Sequence, residues 1–407
     1  MAMQPSPARS RILEKHDSDV VIVSAVRTAI TKAKKGGFKD TKPDLLLSHV
    51  LRAVYTRPGL DPSLIEDISV GNVLPDRGGA SASRMAALHA GIPDTCSVNT
   101  VNRQCSSGLT SVNHIASEIM IGQIDIGIGA GVESMTQSFG RPYSASEFSP
   151  AVLENQQARD CLIPMGITSE NVARDFGLTR VEQDTFAAHS FQKACAALKA
   201  GKFTSEILPV TAKVVDPKTG EEKEVLVDHD DGIREGVTVE TLSKLKPAFT
   251  KDGSTHAGNA SQVSDGAAAV LLARRSVAKR LGLPIIGKFV AAATAGVPPR
   301  IMGVGPAYAI PKVLEKTGLS LGDIDFFEIN EAFASQALYS VRKLGIPMEK
   351  VNVHGGAIAI GHPLGCTGSR QIATGLNIAK QYGARVFVTS MCIGSGMGMA
   401  AVFVSEQ

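Results

Sequence analysis

The stretch "NRQCSSGLTS" (102–111) sets one cysteine where an extended segment, "SVNTVN" (97–102), turns into a helix. Leu109, Val112, Ile115, Ala116, Ile119 and Met120 recur at three- and four-residue spacing and predict a single apolar helical face. Cys105 then lies at or just before a helix N-terminus, among unpaired backbone N–H groups and the positive end of the dipole. That location is expected to lower a thiol's pKa and to leave the sulfur pointing out of the turn. A buried structural cysteine fits the same residues equally well until the rest of the chain is considered.

Two later stretches, "HGGAIAIGHPLGCTGS" (354–369) and "SMCIGSGMGMA" (390–400), each combine a glycine-rich loop with a titratable side chain. His362 sits in "GHPLG", a loop held by proline and glycine just before a helix. Cys392 follows the strand-like "RVFVTSM" (385–391) and opens the run "GSGMG" (394–398), whose backbone N–H groups can approach a substrate oxygen without Cβ interference. A cysteine, a base and a second cysteine suit acyl transfer through a thioester. Other chemistries fail on detail. "GIGAG" (127–131) lacks the third glycine of a dinucleotide loop, because Val132 stands there. "GLPIIGKF" (282–289) has Phe289 where a phosphate loop needs Ser or Thr. His354, His362 and Cys366 match no standard metal spacing, and there is no G-x-S-x-G elbow.

The elements that must position these residues occur twice. "LIEDISVGN" (64–72) is matched by "LGDIDFFEIN" (321–330), each an acidic turn, a short strand and an asparagine. "CSSG" (105–108) is matched by "GCTG" (365–368), "DIGIGAG" (125–131) by "RVFVTSM", and "VVIVSAVRT" (20–28) by "IIGKFVAAATAGV" (285–297). Four pairs in one order, offset by about 260 residues, describe two copies of a β/α half with helix-covered sheets. If the copies pack about a pseudo-twofold axis, Cys105, Asn330, His362 and Cys392 converge at its centre. Between the copies lies 137–263, with a helix at 180–203 and a charged hairpin-like stretch at 213–232, read as an inserted lid or loop domain.

Composition sets the outer limits. The 407 residues are 43% hydrophobic and 20% charged with a net charge of +3, which describes a globular chain without a nucleic-acid footprint. Six cysteines without regular spacing argue against a disulfide framework or structural zinc. No apolar run reaches the roughly 18 residues of a membrane span. The first 16 residues are polar and read as a loose segment or targeting remnant.

Four stretches together resemble the thiolase family, in particular its degradative, peroxisomal-type 3-ketoacyl-CoA members: "VNRQCSSGL" (101–109), "EINEAFA" (328–334), "GGAIAIGHPLGCTG" (355–368) and "SMCIGSGMG" (390–398). The likeness runs from about Val20 to the C-terminus and includes "CLIPMGITSENVA" (161–173) and "HAGNASQVSDGAAAVLL" (256–272). It implies an α/β fold of two βαβαβαββ halves stacked as five layers, α/β/α/β/α, with an inserted loop domain. The expected division is a flexible 1–17, an N-terminal half of 18–136 plus 264–283, a loop domain of 137–263 that helps bind coenzyme A, and a C-terminal half of 284–407.

Carried over by that likeness, Cys105 is the acylated nucleophile, His362 the base that activates it, Cys392 the second acid/base, and Asn330 the holder of a catalytic water. The N–H groups of Cys105 and Gly394 form one oxyanion hole; His362 and the water form the other. Ser261, Phe249 and Arg234 match coenzyme-A contacts, and Met165, Met302 and Phe333 match residues lining the acyl pocket, though ordinary packing accounts for these last three as well. The implied reaction is cleavage of a 3-ketoacyl-CoA by coenzyme A, which is a substrate; no resident cofactor or metal is implied. The rivals are a biosynthetic acetoacetyl-CoA thiolase, a decarboxylating ketosynthase and a catalytically silent acyl-CoA-binding relative. Pro164 stands where short-chain biosynthetic thiolases carry histidine and favours the degradative branch. His354 stands where the family often has asparagine, and a supporting or surface role is expected of it. Cys161, four residues before Met165, is a candidate oxidative partner for Cys105 if the lid brings them together. The likeness further implies a homodimer or tetramer and a peroxisomal location, with the cytosol as alternative. "RSRILEKHD" (9–17) keeps Arg9 and His16 at type-2 peroxisomal signal spacing but has Ser10 and Asp17 at its apolar positions.

Overall fold

In the computed structural model, which describes residues 6–140 and 143–407, the duplicated segments build two half-sheets. The first contains β1 (Val20–Thr28), β2 (Asp67–Gly71), β3 (Ser97–Val101), β4 (Ile126–Ser134) and β5 (Ser264–Arg274). The second contains β6 (Gly287–Gly296), β7 (Phe326–Ile329), β8 (Val386–Ile393) and β9 (Met397–Ser405). The order across both is β7-β8-β9-β6-β1-β5-β4-β2-β3. Outward from the seam between β1 and β6, the courses β1-β5-β4-β2 and β6-β9-β8-β7 are equivalent, with β2 parallel to β4 and β7 parallel to β8. The seam is narrow: Val21 pairs with Lys288 and Ile22 with Gly287. The counterpart of β3 shrinks to one parallel bridge between Phe327 and Val351.

Side-chain alternation along these strands sorts the layers. In β8, Val386 and Val388 face outward onto the helix Gly305–Thr317, through Ile310 and Val313. Phe387, Met391 and Ile393 face inward, onto a core shared with Leu109, Val112 and Ile115 of the helix Ser107–Ile121 and with Ile372 and Leu376 of the helix Leu364–Tyr382. The first half-sheet adds Ile22, Val270 and Leu272 to that same core, and its other face packs on Leu46, Val50 and Val54 of the helix Pro43–Thr56. Five layers result, and the two central helices are covered on both sides. Near-continuous apolar and small residues along the central strands, with successive side chains on opposite faces, let both faces of each half-sheet be buried. The apolar helical face expected from sequence is buried except for Met120, which is 48% exposed near the helix end.

The two central helices start side by side. A Cβ on Gly108 would stand 2.6 Å from the Gly365 carbonyl oxygen, and one on Gly368 would stand 2.1 Å from the Leu109 nitrogen. Only glycine lets these backbones approach so closely, and the approach brings the loops before both helices to one place.

The inserted segment packs on the second half. Val172, Phe186 and Phe191 share a core with Ala334, Ala337 and Leu338 and with Ile358. It is tied to β1 by the buried Arg27, which donates to Glu206 at 2.6 Å and to both oxygens of Asp230 at 2.7 and 2.9 Å. Its helix spans Arg180–Lys199, shorter than the 180–203 expected, and its hairpin pairs Val210–Val215 with Glu222–Val227. The N-terminal segment expected to be loose instead contains a docked helix, Pro7–Leu13; residues 1–5 lie outside the described residues. Ile12 is buried in the outer core of the second half and Arg9 holds both oxygens of Asp325 at 2.9 Å, so apolar and ionic contacts combine to fix it.

Candidate active site

Cys105 lies in a tight turn between β3 and the helix Ser107–Ile121. Gln104 adopts the left-handed region (φ +47°), uncommon for a residue with a Cβ. Side chains lace this turn in place. Asn102 Oδ1 accepts the Gln104 N–H at 2.9 Å, and Ser107 Oγ accepts the Arg103 N–H at 2.9 Å while donating to the Gln104 carbonyl at 2.7 Å. The Cys105 sulfur is met by two backbone N–H groups, its own and that of Gly394. Gly394 belongs to the three-residue turn 394–396 joining β8 to β9, in which Ser395 and Gly396 take positive φ (+63° and +93°). These are the two N–H groups that the family likeness assigns to one oxyanion hole.

One expectation is corrected. The helix terminus does not lower the Cys105 pKa below its usual value; burial pushes the thiol up to about 11, against the pull of the two N–H groups. The carboxylate of Glu133 adds to the rise. At neutral pH the resting group is a thiol, and its proton must be removed as it reacts.

His362 is buried, and burial pushes its pKa down to about 3, so the ring is neutral and able to accept a proton. Its hydrogen bonds define which nitrogen does so. Thr367 Oγ1 donates to the Pro363 carbonyl at 2.9 Å, which uses its only proton. At 2.7 Å from His362 Nδ1 the same oxygen must therefore accept, placing the ring proton on Nδ1 and the lone pair on Nε2. Nε2 lies 3.2 Å from Asn330 Nδ2, a donor, consistent with that tautomer. The other amide atom, Asn330 Oδ1, is buried without a partner among the described residues.

Cys392, at the end of β8, is fully buried, and desolvation together with the nearby Cys105 raises its pKa strongly. It packs with Met302, Ala332 and Phe333. Residues 330–333 thus join the Asn330–His362 pair to the Cys392 cluster along a continuous stretch. Phe249 crosses Phe333 edge-on, with ring centroids 6.1 Å apart, and lies against Gly166, where a Cβ would come within 2.2 Å of its ring. Met165, exposed, begins the helix Met165–Asp175 beside it, capped by Pro164. Ser261 donates its N–H to the Ala332 carbonyl at 2.9 Å. Arg234 is placed apart from this group: exposed, its guanidinium stacks 5.0 Å above the Phe191 ring. Cys161 reaches the turn beside Gly394, its sulfur 3.9 Å from the Ser395 carbonyl oxygen. His354 is not at the surface; it is buried against Phe203 and Tyr382, and burial lowers its pKa to about 4.

Sequence reasoning missed the residues that hold this arrangement. Glu331 accepts from Ser190 Oγ (2.6 Å), Asn352 Nδ2 (2.7 Å) and the Ile358 N–H (3.2 Å), anchoring the loop that leads to His362. Glu133 accepts from the N–H groups of Val73, Leu74 and, across the two halves, Gly365. Both glutamates sit among apolar or glycine residues in sequence, a signal that a charge is being taken indoors.

Comparison with known proteins agrees with this geometry. The model of the thiolase N-terminal domain matches residues 20–276, and that of the C-terminal domain matches 283–405. The chain belongs to the thiolase family. It is 57% identical to the peroxisomal 3-ketoacyl-CoA thiolase of Yarrowia lipolytica over all of this chain and 98% of that one. It is 56% identical to the human peroxisomal 3-ketoacyl-CoA thiolase over 98% of this chain and 94% of that one. The crystal structure of the dimeric peroxisomal thiolase of Saccharomyces cerevisiae superimposes with a TM-score of 0.89 at 53% identity, covering 98% of this chain and all of that one. An acetyl-CoA acetyltransferase of Bacillus anthracis matches with a TM-score of 0.85 but at 37% identity, over 95% of this chain and 98% of that one.

Proposed function

We propose that this thiolase cleaves 3-ketoacyl-CoA with coenzyme A, releasing acetyl-CoA and an acyl-CoA two carbons shorter, as the last step of fatty-acid β-oxidation. The observation that carries the reading is the pair of N–H groups, from Cys105 and Gly394, meeting at the sulfur of a cysteine whose neighbour Cys392 lies in an apolar cluster. His362 Nε2 takes the Cys105 proton, and the thiolate attacks C3 of the substrate. The alkoxide forms against the Cys105 and Gly394 N–H groups, where losing one donor typically costs about 3–4 kcal/mol. The C2–C3 bond breaks, and the acetyl-CoA enolate rests between His362 and a water held by Asn330 until Cys392 protonates it. Coenzyme A then attacks the acyl-Cys105 thioester. Its proton passes to Cys392, while His362 returns the first proton to Cys105.

Met302 and Phe333, beside Cys392, and Met165 at the helix start are assigned to the acyl pocket; Ser261 and Phe249 are assigned to coenzyme A. Arg234 retains that assignment only as a contact to the outer part of a long ligand. Greater identity to the peroxisomal 3-ketoacyl-CoA thiolases than to the acetyl-CoA acetyltransferase supports the degradative over the biosynthetic direction. The same relatives support a peroxisomal location, and the dimeric yeast structure supports a homodimer; the outer edge of β3, unpaired among the described residues, offers a surface for it.

Coenzyme-A-dependent loss of 3-ketoacyl-CoA, measured for a long-chain substrate beside acetoacetyl-CoA, tests the proposal. Cleavage of both, with the long chain equal or favoured, is expected. Activity confined to acetoacetyl-CoA would move the assignment to the biosynthetic branch.

A further inference from the structure

We infer that Gln336 is a positioning residue for Cys392, turning its amide oxygen to the neutral thiol and its amide nitrogen to the thiolate as Cys392 gives up and regains its proton. The inference rests on the acid/base reading of Cys392 given above. Gln336 is buried in the first turn of the helix Ala334–Leu344. The Cys392 sulfur lies 3.4 Å from Oε1, so the thiol S–H donates to the amide. The other end of that amide, Nε2, is buried with no partner among the described residues. Such a donor is ordinarily costly to bury, and its persistence beside a proton-transferring sulfur points to a state in which it is used.

The two ends of a glutamine amide have nearly the same shape, and the terminal torsion is broad and roughly twofold, so a half-turn exchanges acceptor for donor without other movement. Space for the side chain comes from Gly303, where a Cβ would stand 2.1 Å from Gln336 Cγ and 2.4 Å from Nε2. Cys105, the titratable group that acts on Cys392, is an uncharged thioester while Cys392 holds its negative charge. Met302, Ala332 and Phe333, packed around the sulfur, carry no charge to offset it. The sulfur's own backbone N–H favours the thiolate, and a donated Nε2–H adds a second donor.

The protons balance. When the S–H bond of Cys392 breaks, the proton joins C2 of the departing acetyl-CoA and the electron pair stays on sulfur, which now accepts from Nε2. When coenzyme A attacks acyl-Cys105, its thiol proton rebuilds the S–H bond, and Oε1 accepts again. No oxidant or reductant enters.

Three variants test this: Gln336→Leu, Gln336→Glu and, as a control on the underlying reading, Cys392→Ala. Two rates are compared in each, namely thiolysis of a 3-ketoacyl-CoA and acylation of Cys105 by p-nitrophenyl acetate, whose leaving group needs no acid. Gln336→Leu is expected to lower the kcat of thiolysis about ten- to a hundred-fold, the worth of one hydrogen bond to a charged group, with KM and acylation nearly unchanged. Gln336→Glu is expected to cleave well while its carboxyl is protonated and able to donate, and to lose thiolysis, but not acylation, as pH rises and the carboxylate forms. Unchanged thiolysis in Gln336→Leu, or a parallel fall in acylation, would overturn the inference. Full thiolysis by Cys392→Ala would instead defeat the acid/base reading itself, and the inference with it.

Discussion

The two halves of this thiolase offer the same frame and fill it differently. Cys105 begins the loop-to-helix junction of the first half, where its counterpart in the second is Gly365. At the end of the third equivalent strand the first half has Val132 and the second has Cys392. Asn72 and Asn330 end equivalent strands, yet only Asn330 lies against an imidazole. Even the helix hydroxyls are divided: Ser107 fastens the turn that carries Cys105, whereas its counterpart Thr367 fixes the tautomer of His362. Duplication thus supplies two well-placed helix N-termini, and the division of labour lies in single residues. In the proposed mechanism the first half furnishes the nucleophile, while the base, the second thiol and the water-holding amide come from the second.

The sharpest way to break that division is to remove the first half's contribution. Cys105→Ala is expected to lower thiolysis at least about 10⁴-fold, because losing the nucleophile of a concerted set leaves only binding and the oxyanion donors. Folding is expected to be retained, since the sulfur's neighbours are N–H groups that also have the nearby turn to lean on. Steady-state assay together with a thermal melt checks both parts; appreciable turnover in a folded variant would show that the halves do not divide the work in this way.

A smaller effect is expected from the hydroxyl on the second half. Thr367→Val leaves His362 Nδ1 without its acceptor and frees the ring to carry its proton on Nε2, the wrong nitrogen for a base. A fall of about ten- to a hundred-fold in kcat is expected, with KM little changed and Thr367→Ser restoring most of the loss. ¹⁵N spectra of labelled histidine read the tautomer directly. A valine variant that keeps Nδ1 protonated and full activity would make the Thr367 contact incidental.

Much of this arrangement was legible in the sequence, for physical reasons that also mark where legibility ends. The repeat and the glycine-rich loops report backbone requirements, and they pointed to helix-covered half-sheets and to Cys105, Asn330, His362 and Cys392, while the five layers and Gly394 came with the family likeness. Burial depends on contacts between distant segments and escaped. A helix terminus alone argued for an acidic Cys105, but desolvation by the surrounding layers reversed the direction. Arg9 looked like part of an exposed signal, and its partner Asp325 lies more than 300 residues away. Gln336 and Glu331 appeared within or beside a recognised motif, but what they hold is set by residues the motif does not include.

The least conspicuous difference between the halves concerns stability. Val70 of β2 has Glu328 of β7 as its counterpart, and Thr110 has Arg370. The second half therefore buries a charge pair where the first is apolar or neutral. The pair is imperfect: Glu328 Oε2 and Arg370 Nη1 are 3.5 Å apart, and Glu328 Oε1 and Arg370 Nε have no partners among the described residues. Burial pushes the Glu328 carboxyl up to about 8, despite Arg370. An unfolded glutamate releases its proton near pH 4.3, so between roughly pH 4 and 8 the folded chain holds a proton that the unfolded chain has lost. Stability attributable to this group must then fall as pH rises through that window and level off above it. Glu328→Gln, which cannot titrate, is expected to match the parent near pH 4 and to exceed it by about 2 kcal/mol near pH 9, the shift being discounted for relaxation around a buried pair. Denaturant unfolding across that range measures the difference. Should the parent's slope persist in Glu328→Gln, the titration would belong elsewhere in the protein, and Glu133, raised to about 7 in the first half, would be the group to replace next.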